Sequence, residues 1–273
     1  CGVSCIDLST GKNYIHSIDY DRDSNYWSDE LSRLFHFYNP SEILVQFENC
    51  YFSETDMIYR WDLNECLVHI NFFQQSIYKK PSYQNERLHE LFSIKTMMTP
   101  IEYFELDRKP NACLSYIYMI EYIREHKQSI VNNIDFPQET MNEHSLVLHS
   151  NSIRQLNVVA NYSYYKGKNE SLFEIMNECK TPMGKRELKQ RLLYPLISKE
   201  QIELRYNQLE SMKDKDRYKK LQGYLSYISD LEKTIRLIGL DLIQPYDLYS
   251  SMLSYSYVDL MIQEIQPISY FTC

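Results

Sequence analysis

Four carboxylates in the first third of the chain invite a test for metal-dependent phosphodiester chemistry. Asp7 sits in the strand-like stretch Gly2-Val3-Ser4-Cys5-Ile6-Asp7-Leu8, and Glu42, Glu48 and Asp62 follow it. A two-metal nuclease needs several carboxylates converging on ions about 4 Å apart, and no spacing here forces these four together. The simpler reading of Asp7 is a hairpin-edge aspartate, solvated or bonding the turn. A basic cluster, Lys180, Lys185, Arg186, Lys189 and Arg191, is the second candidate. On a helix Lys185 and Lys189 share a face by their i, i+4 spacing, so the pair reads either as a contact to DNA or as a solvated or intersubunit face. His144 and His149 stand five apart with no acidic ligand pattern around them, and no Gly-x-Ser-x-Gly elbow is present. The Gly-Lys pairs, Gly11-Lys12 and Gly184-Lys185, lack both the glycine five residues earlier and the following Ser or Thr of a phosphate-binding loop. The residues at hand therefore predict no catalytic, cofactor or metal site in this stretch.

Bulk properties narrow the partners. The 273 residues carry a net charge of −8. Residues 1–139 hold 12 Lys and Arg against 21 Asp and Glu, and the remainder hold 17 against 16. An acidic first half is a poor phosphate-binding surface, because affinity for duplex DNA comes mainly from neutralising phosphates. The seven cysteines form no C-x-x-C pair and are odd in number, which argues against a zinc site or a complete disulfide framework. Reduced thiols fit an intracellular setting. No apolar run approaches the ~20 residues of a membrane span. The 25 tyrosines reflect residue bias more readily than an aromatic nucleic-acid platform. The chain starts at Cys1 and stops at Ile268-Ser269-Tyr270-Phe271-Thr272-Cys273, which reads as a fragment.

The elements follow from patterning. Residues 2–8 and Tyr14 to Ile18 form a hairpin around Ser9-Thr10-Gly11-Lys12. Leu31, Leu34, Phe35 and Tyr38 mark one helix face, stopped by Asn39-Pro40. Ile43 to Phe47 is a short buried strand. Helical pieces are expected within Trp61 to Ile77 and Arg87 to Met98. Cys113, Leu114, Ile117, Ile120 and Ile123 give an amphipathic helix. The polar stretch Gln128 to Glu143 is the expected domain boundary. The second half is helical, with Ser171 opening one helix and Ile153, Leu156, Val158 and Val159 on another. Ser198-Lys199-Glu200-Gln201 and Ser229-Asp230-Leu231-Glu232 read as capping boxes. Ile202, Tyr206, Leu209 and Met212 lie behind the first, Ile235 and Ile238 behind the second. Thr181 is a good N-cap and Pro182 fits the first helical position. Gly184, unfavourable by about 1 kcal/mol against Ala, implies a close backbone approach. Pro195 ends that helix, and Leu188 and Leu192 are expected on its buried side.

The string Lys180-Thr181-Pro182-Met183-Gly184-Lys185-Arg186, with Leu188 and Tyr194-Pro195, resembles the start of the lever region in the MutS family of DNA mismatch-repair proteins. Gly2 to Gly11 resembles the opening of that family's connector domain, and Asn39 to Leu44 its next landmark. Ile202 with Arg205, Ser229-Asp230-Leu231-Glu232-Lys233 and Gln244-Pro245-Tyr246-Asp247-Leu248 are similar to later landmarks, in family order. Arg191 stands where the family usually has Trp, and His149-Ser150-Asn151 departs from the usual helix start. Phe52-Ser53-Glu54 spells the family's mismatch wedge but falls within the connector, where it is coincidental.

The resemblance implies an α/β, ribonuclease H-like mixed-sheet connector domain over 1–135, followed by a partial all-α lever core over 136–273. It marks Thr181, Pro182, Met183, Gly184, Arg186, Leu188, Arg205, Asp230 and Glu232 as signature positions, and Lys185 and Lys189 as candidate DNA or subunit contacts. It implies that this segment couples the DNA-binding and ATPase parts of a homo- or heterodimeric parent that uses ATP and Mg²⁺, and that the connector docks a MutL-type partner. The alternatives are a ribonuclease H-like metal-dependent nuclease and a non-repair helical scaffold.

Overall fold

Gly2 shows how tightly the first strand lies on its neighbours. A Cβ there would fall 2.1 Å from the Asn111 carbonyl oxygen, closer than any side chain allows. In the computed structural model of the chain, described for residues 1–19, 26–47, 52–61, 63, 66–70, 76–131, 134–139, 145–146, 148, 150–160, 171–213 and 216–266, two units form, one built on 1–141 and the other on 142–148, 153–160 and 168–273.

In the first unit, β1 (Gly2–Ile6) pairs antiparallel with β2 (Asn13–Ser17), and Gly11 takes φ 80° in the loop between them. α1 (Tyr26–Tyr38) ends where Asn39 turns left-handed, φ 45°, with its N–H on the Phe35 carbonyl at 2.8 Å. Asn tolerates that conformation, and the following Pro40 cannot continue the helix. β3 (Glu42–Val45) runs parallel to β4 (Leu67–Ile70), which is separated from it in sequence by α2 (Glu54–Trp61). A 3₁₀ turn, Ser76–Lys79, precedes α3 (Pro81–Phe92), α4 (Pro100–Tyr103) and the long α5 (Pro110–Val131). β5 (Gln138–Glu139) adds to β2 in parallel.

Two apolar cores hold this unit. One gathers Ala112, Tyr116, Ile117 and Ile120 of α5 with Leu88 of α3 and Ile15 of β2. The other joins Leu31 and Leu34 of α1 to Met57 and Trp61 of α2, with Ile18 and Leu63. The buried Tyr116 hydroxyl donates to Asn13 Oδ1 at 3.0 Å, and Asn13 Nδ2 donates to the Asp135 carbonyl at 2.6 Å. That pairing answers the cost of burying amide and hydroxyl groups.

Three expectations change here. Within 61–77, where helical pieces are expected, residues 67–70 are a strand. Val68 and Ile70 are β-branched, and so short an apolar run does not declare its period. The helical piece expected within 87–98 covers 87–92, as the end of a helix that begins earlier, at Pro81, and closes at left-handed Ser93. Residues 138–139, placed beyond residue 135 in the helical half, belong to the first unit's sheet. The described strands form a three-stranded sheet, β1-β2-β5, and a two-stranded one, β3-β4.

After α6 (Ser150–Gln155), whose residues from Ile153 on belong to the second unit, that unit is helical: α7 (Leu172–Met176), α8 (Pro182–Leu193), α9 (Lys199–Lys213), α10 (Arg217–Leu225), α11 (Leu231–Gly239) and α12 (Pro245–Ile265). α10 and α12 are tied by the Lys220–Glu264 ion pair, and Tyr227, just after α10, stacks on Tyr257 of α12, centroids 4.5 Å apart. The fully buried Ser254 hydroxyl lies 3.0 Å from both the N–H and the hydroxyl of Ser229. On α8 the fully buried leucine is Leu193, while Leu188 and Leu192 are only partly covered. Behind the caps of α9 and α11, Tyr206, Leu209, Ile235 and Ile238 are exposed. Leu156, Val158 and Val159, expected on a helix with Ile153, all follow the end of α6; Leu156 is 67% exposed, whereas Ile153, Val158 and Val159 are buried.

Leu193→Ala is expected to destabilise the second unit by about 2–5 kcal/mol, and Leu188→Ala by clearly less. Gly2→Ala should lower the stability of the first unit by about 1–3 kcal/mol through overpacking. Urea unfolding followed by circular dichroism checks all three.

Candidate functional site

The first turn of α8 is built by local chemistry. Thr181 takes an extended conformation, and its Oγ1 accepts from the Gly184 N–H at 3.1 Å. Pro182 occupies N1, where no N–H is needed. A Cβ on Gly184 would come within 3.0 Å of Thr181 Oγ1 and 3.5 Å of Cys179 Cβ. The close approach inferred at Gly184 is therefore made by the capping hydroxyl itself and by the preceding cysteine.

This cap aims Arg186 at the start of another helix. Its guanidinium forks onto Asp230, Nη1 donating to Oδ2 at 2.9 Å and Nη2 to Oδ1 at 2.8 Å, and Nη2 also reaches Glu232. Two parallel charge-assisted bonds fix direction as well as distance. Asp230 does two jobs: it is the N-cap of α11, its Oδ1 accepting from the Lys233 N–H at 3.4 Å. The cap falls on Asp230 rather than Ser229, because the Ser229 hydroxyl is committed to Ser254. The Arg186 guanidinium holds the Asp230 carboxyl below the usual carboxylate range, partial burial opposing it. The same carboxylates raise the Arg186 pKa.

Three of the positions predicted from sequence, Arg186, Asp230 and Glu232, thus meet at one point, and Thr181, Pro182 and Gly184 shape the turn that presents the first of them. Met183 and Leu188 lie partly buried on α8. Arg205 lies on α9 and forms no ion pair among the described residues. Lys185 is exposed, whereas Lys189 is partly covered and burial pulls its ammonium down to about 8. The two lysines therefore do not present one evenly solvated stripe. Arg191 is exposed and bonds Glu187 at 2.7 Å.

The carboxylates tested for metal chemistry go separate ways. Asp7 accepts from the Ser9 N–H at 2.8 Å and the Ser9 hydroxyl at 2.7 Å, and these bonds, against partial burial, hold it low. Glu42 accepts from the Tyr122 hydroxyl and faces His69 Nε2 at 2.7 Å. Tyr122, opposed by partial burial and helped by His69, holds Glu42 below its usual range. Glu48, Asp62, His144 and His149 lie outside the described residues. Among the described residues no group of three His, Cys, Asp or Glu side chains is placed to hold a metal ion. Phe52 of the Phe52-Ser53-Glu54 string packs its ring edge-on to Trp61, centroids 6.1 Å apart, and Ser53 caps α2 through Asp56. The Glu42–His69–Tyr122 cluster carried no sequence signal, since its members are 27 and 80 residues apart.

If the Arg186 fork is a partly exposed ion pair, a double-mutant cycle of Arg186→Met and Asp230→Asn should give a coupling of about 0.5–1 kcal/mol near pH 7. A carboxylate with a depressed folded-state pKa stabilises the fold fully above its unfolded pKa of about 3.9, and that contribution is lost as pH falls through the lower folded value. The coupling should accordingly persist at pH 5 and vanish in acid, as read by denaturant melts across that range.

Residues 151–269 match the family description MutS domain III. The chain is 29% identical to a DNA mismatch repair MutS homologue of Acanthamoeba polyphaga mimivirus, over 90% of this chain and 24% of that protein. It is 28% identical to the DNA mismatch repair protein MutS of Thermotoga neapolitana, over 99% of this chain and 30% of that one. With MutS of Methanosarcina barkeri identity is 30%, over 87% and 25%. The chain thus spans less than a third of the length of each of these relatives. Given the matched domain and the near full-length alignment of this stretch, the chain belongs to the MutS family of DNA mismatch-repair proteins.

Proposed function

We propose that this chain is the coupling segment of an ATP-dependent, dimeric mismatch-binding protein, joining the part that reads DNA to the part that hydrolyses ATP. In this reading residues 1–135 are a ribonuclease H-like connector and residues 136–273 the first part of a helical lever core. ATP and Mg²⁺ are used by the whole protein at sites other than those described here. DNA is held mainly by other parts as well, and the connector offers the docking surface for a MutL-type partner.

The observation that carries the reading is the Arg186 fork. Coupling between distant sites needs packed, rigid elements with two discrete arrangements. An arginine that grips the N-cap of another helix makes α8 and α11 move together, at a small energy that a second arrangement can match. The acidic first unit supports DNA contact elsewhere, because non-specific duplex affinity comes from phosphate neutralisation. No helix among the described residues is long and apolar enough to cross a membrane.

Two outcomes are expected. The 273-residue chain alone should bind duplex DNA no tighter than about 10⁻⁵ M at physiological salt, with no preference for a mismatch; nanomolar, mismatch-selective binding in a fluorescence titration would contradict the reading. In the complete protein, Arg186→Met should leave DNA affinity and basal ATP hydrolysis near wild type while reducing the stimulation of hydrolysis by mismatched DNA. Unchanged stimulation in a steady-state assay would remove the coupling role.

A further inference from the structure

Between α8 and α9 lies a pocket of about 260 Å³ whose lining includes Gln190, Gln201 and Arg205. Glu187, Gln190, Arg191 and Tyr194 line it from one face of α8, at the i, i+3, i+4, i+7 spacing that brings residues to one side of a helix. Gln201 and Arg205, four apart, line it from α9. Ser145 and Leu196, paired in an isolated bridge beside the Leu146 N–H bond to the Pro195 carbonyl at 2.7 Å, also line it.

The charges do not balance. Arg191 is satisfied by Glu187 within its own helix, 2.7 Å away. Arg205 is half-buried, and neither it nor the carboxamides of Gln190 and Gln201 has a hydrogen-bond partner among the described residues. The pocket is therefore left with one net positive charge, a guanidinium fork and two uncommitted amide groups. A guanidinium presents its donors in a plane that matches two oxygens of a carboxylate or phosphate. Carboxamide NH₂ groups add neutral donors beside it. The size makes a second selection. Organic ligands occupy pockets of about 300–1,000 Å³ lined mainly by apolar side chains, and this one lies at the small end of that scale with a mixed lining.

We propose that this pocket binds a small oxyanion, a phosphate or carboxylate group, with Arg205 as its anchor and Gln190 and Gln201 as flanking donors. The family resemblance marks Arg205 as a signature position, and the pocket gives it a task distinct from that of Arg186. The site is independent of the Arg186 fork, so its success or failure leaves the coupling role untouched.

The test uses the ¹⁵N-labelled 273-residue chain. Arginine Nε–H resonances are followed while sodium phosphate, and separately sodium acetate, replaces sodium chloride at constant ionic strength. The Arg205 signal, identified by its loss in Arg205→Lys, should shift saturably with at least one oxyanion. The arm with the tighter response names phosphate or carboxylate as the preferred group. Gln201→Leu should weaken the apparent affinity by about tenfold to a hundredfold, the loss of one hydrogen bond to a charged group. The wild-type titration needs no variant to fold. An Arg205 signal that moves no more in phosphate and acetate than in chloride overturns the proposal, as does a shift that never saturates.

Discussion

The grip of one arginine on the cap of a distant helix organises the second half of this molecule. Arg186 spans 44 residues of sequence to reach Asp230, and it does so only because Thr181 and Pro182 start α8 at a defined residue. Shifting that start by one position would swing Arg186 about 100° around the helix, by its 3.6-residue turn. Asp230 is equally constrained, since its carboxylate serves both the arginine and the first turn of α11. Two helix starts, each fixed by its own cap, are thereby locked to one another.

The magnitudes say what such a contact is for. A partly exposed ion pair contributes about 0.2–1 kcal/mol, whereas burying one leucine such as Leu193 contributes several times that. Stability in the second unit rests on Leu193, Leu221, Ile228 and the Ser229–Ser254 hydrogen bonds. The fork contributes register instead. A directional contact of small energy suits an element that must transmit a displacement and be able to rearrange, because a large stabilisation would commit it to one state. In the first unit the opposite balance holds: the buried Tyr116–Asn13 hydrogen bond lies against a dense apolar core and continues to the Asp135 carbonyl nearer the surface.

How much of this was legible in the sequence follows from distance along the chain. Caps are local, so Thr181, Ser171 and the Asn39-Pro40 stop were readable from residue type alone. The partner of Arg186 was not, because periodicity carries no information across 44 residues; only the resemblance placed Arg186, Asp230 and Glu232 in one set, and it gave no geometry. β4 was missed since four residues, Leu67 to Ile70, do not declare a period, and β5 since two polar residues have no pattern at all. The apolar stripes of α9 and α11 identified helices correctly but said nothing of what covers them, and Leu209 and Ile235 remain more than 60% exposed. Leu188 and Leu192 were favoured over Leu193 for the same reason, since a stripe gives spacing and the neighbours decide which leucine is sealed.

The central claim is that the starts of α8 and α11 behave as one joint held by Arg186. Hydrogen exchange at the Gly184 and Lys233 amides, the two N–H groups bonded by the caps, tests it most directly in wild type and Arg186→Met. Faster exchange at both amides together in the variant, with the α10–α12 amides unchanged, is the predicted result. Unaltered protection of Lys233 after loss of the guanidinium would contradict the account.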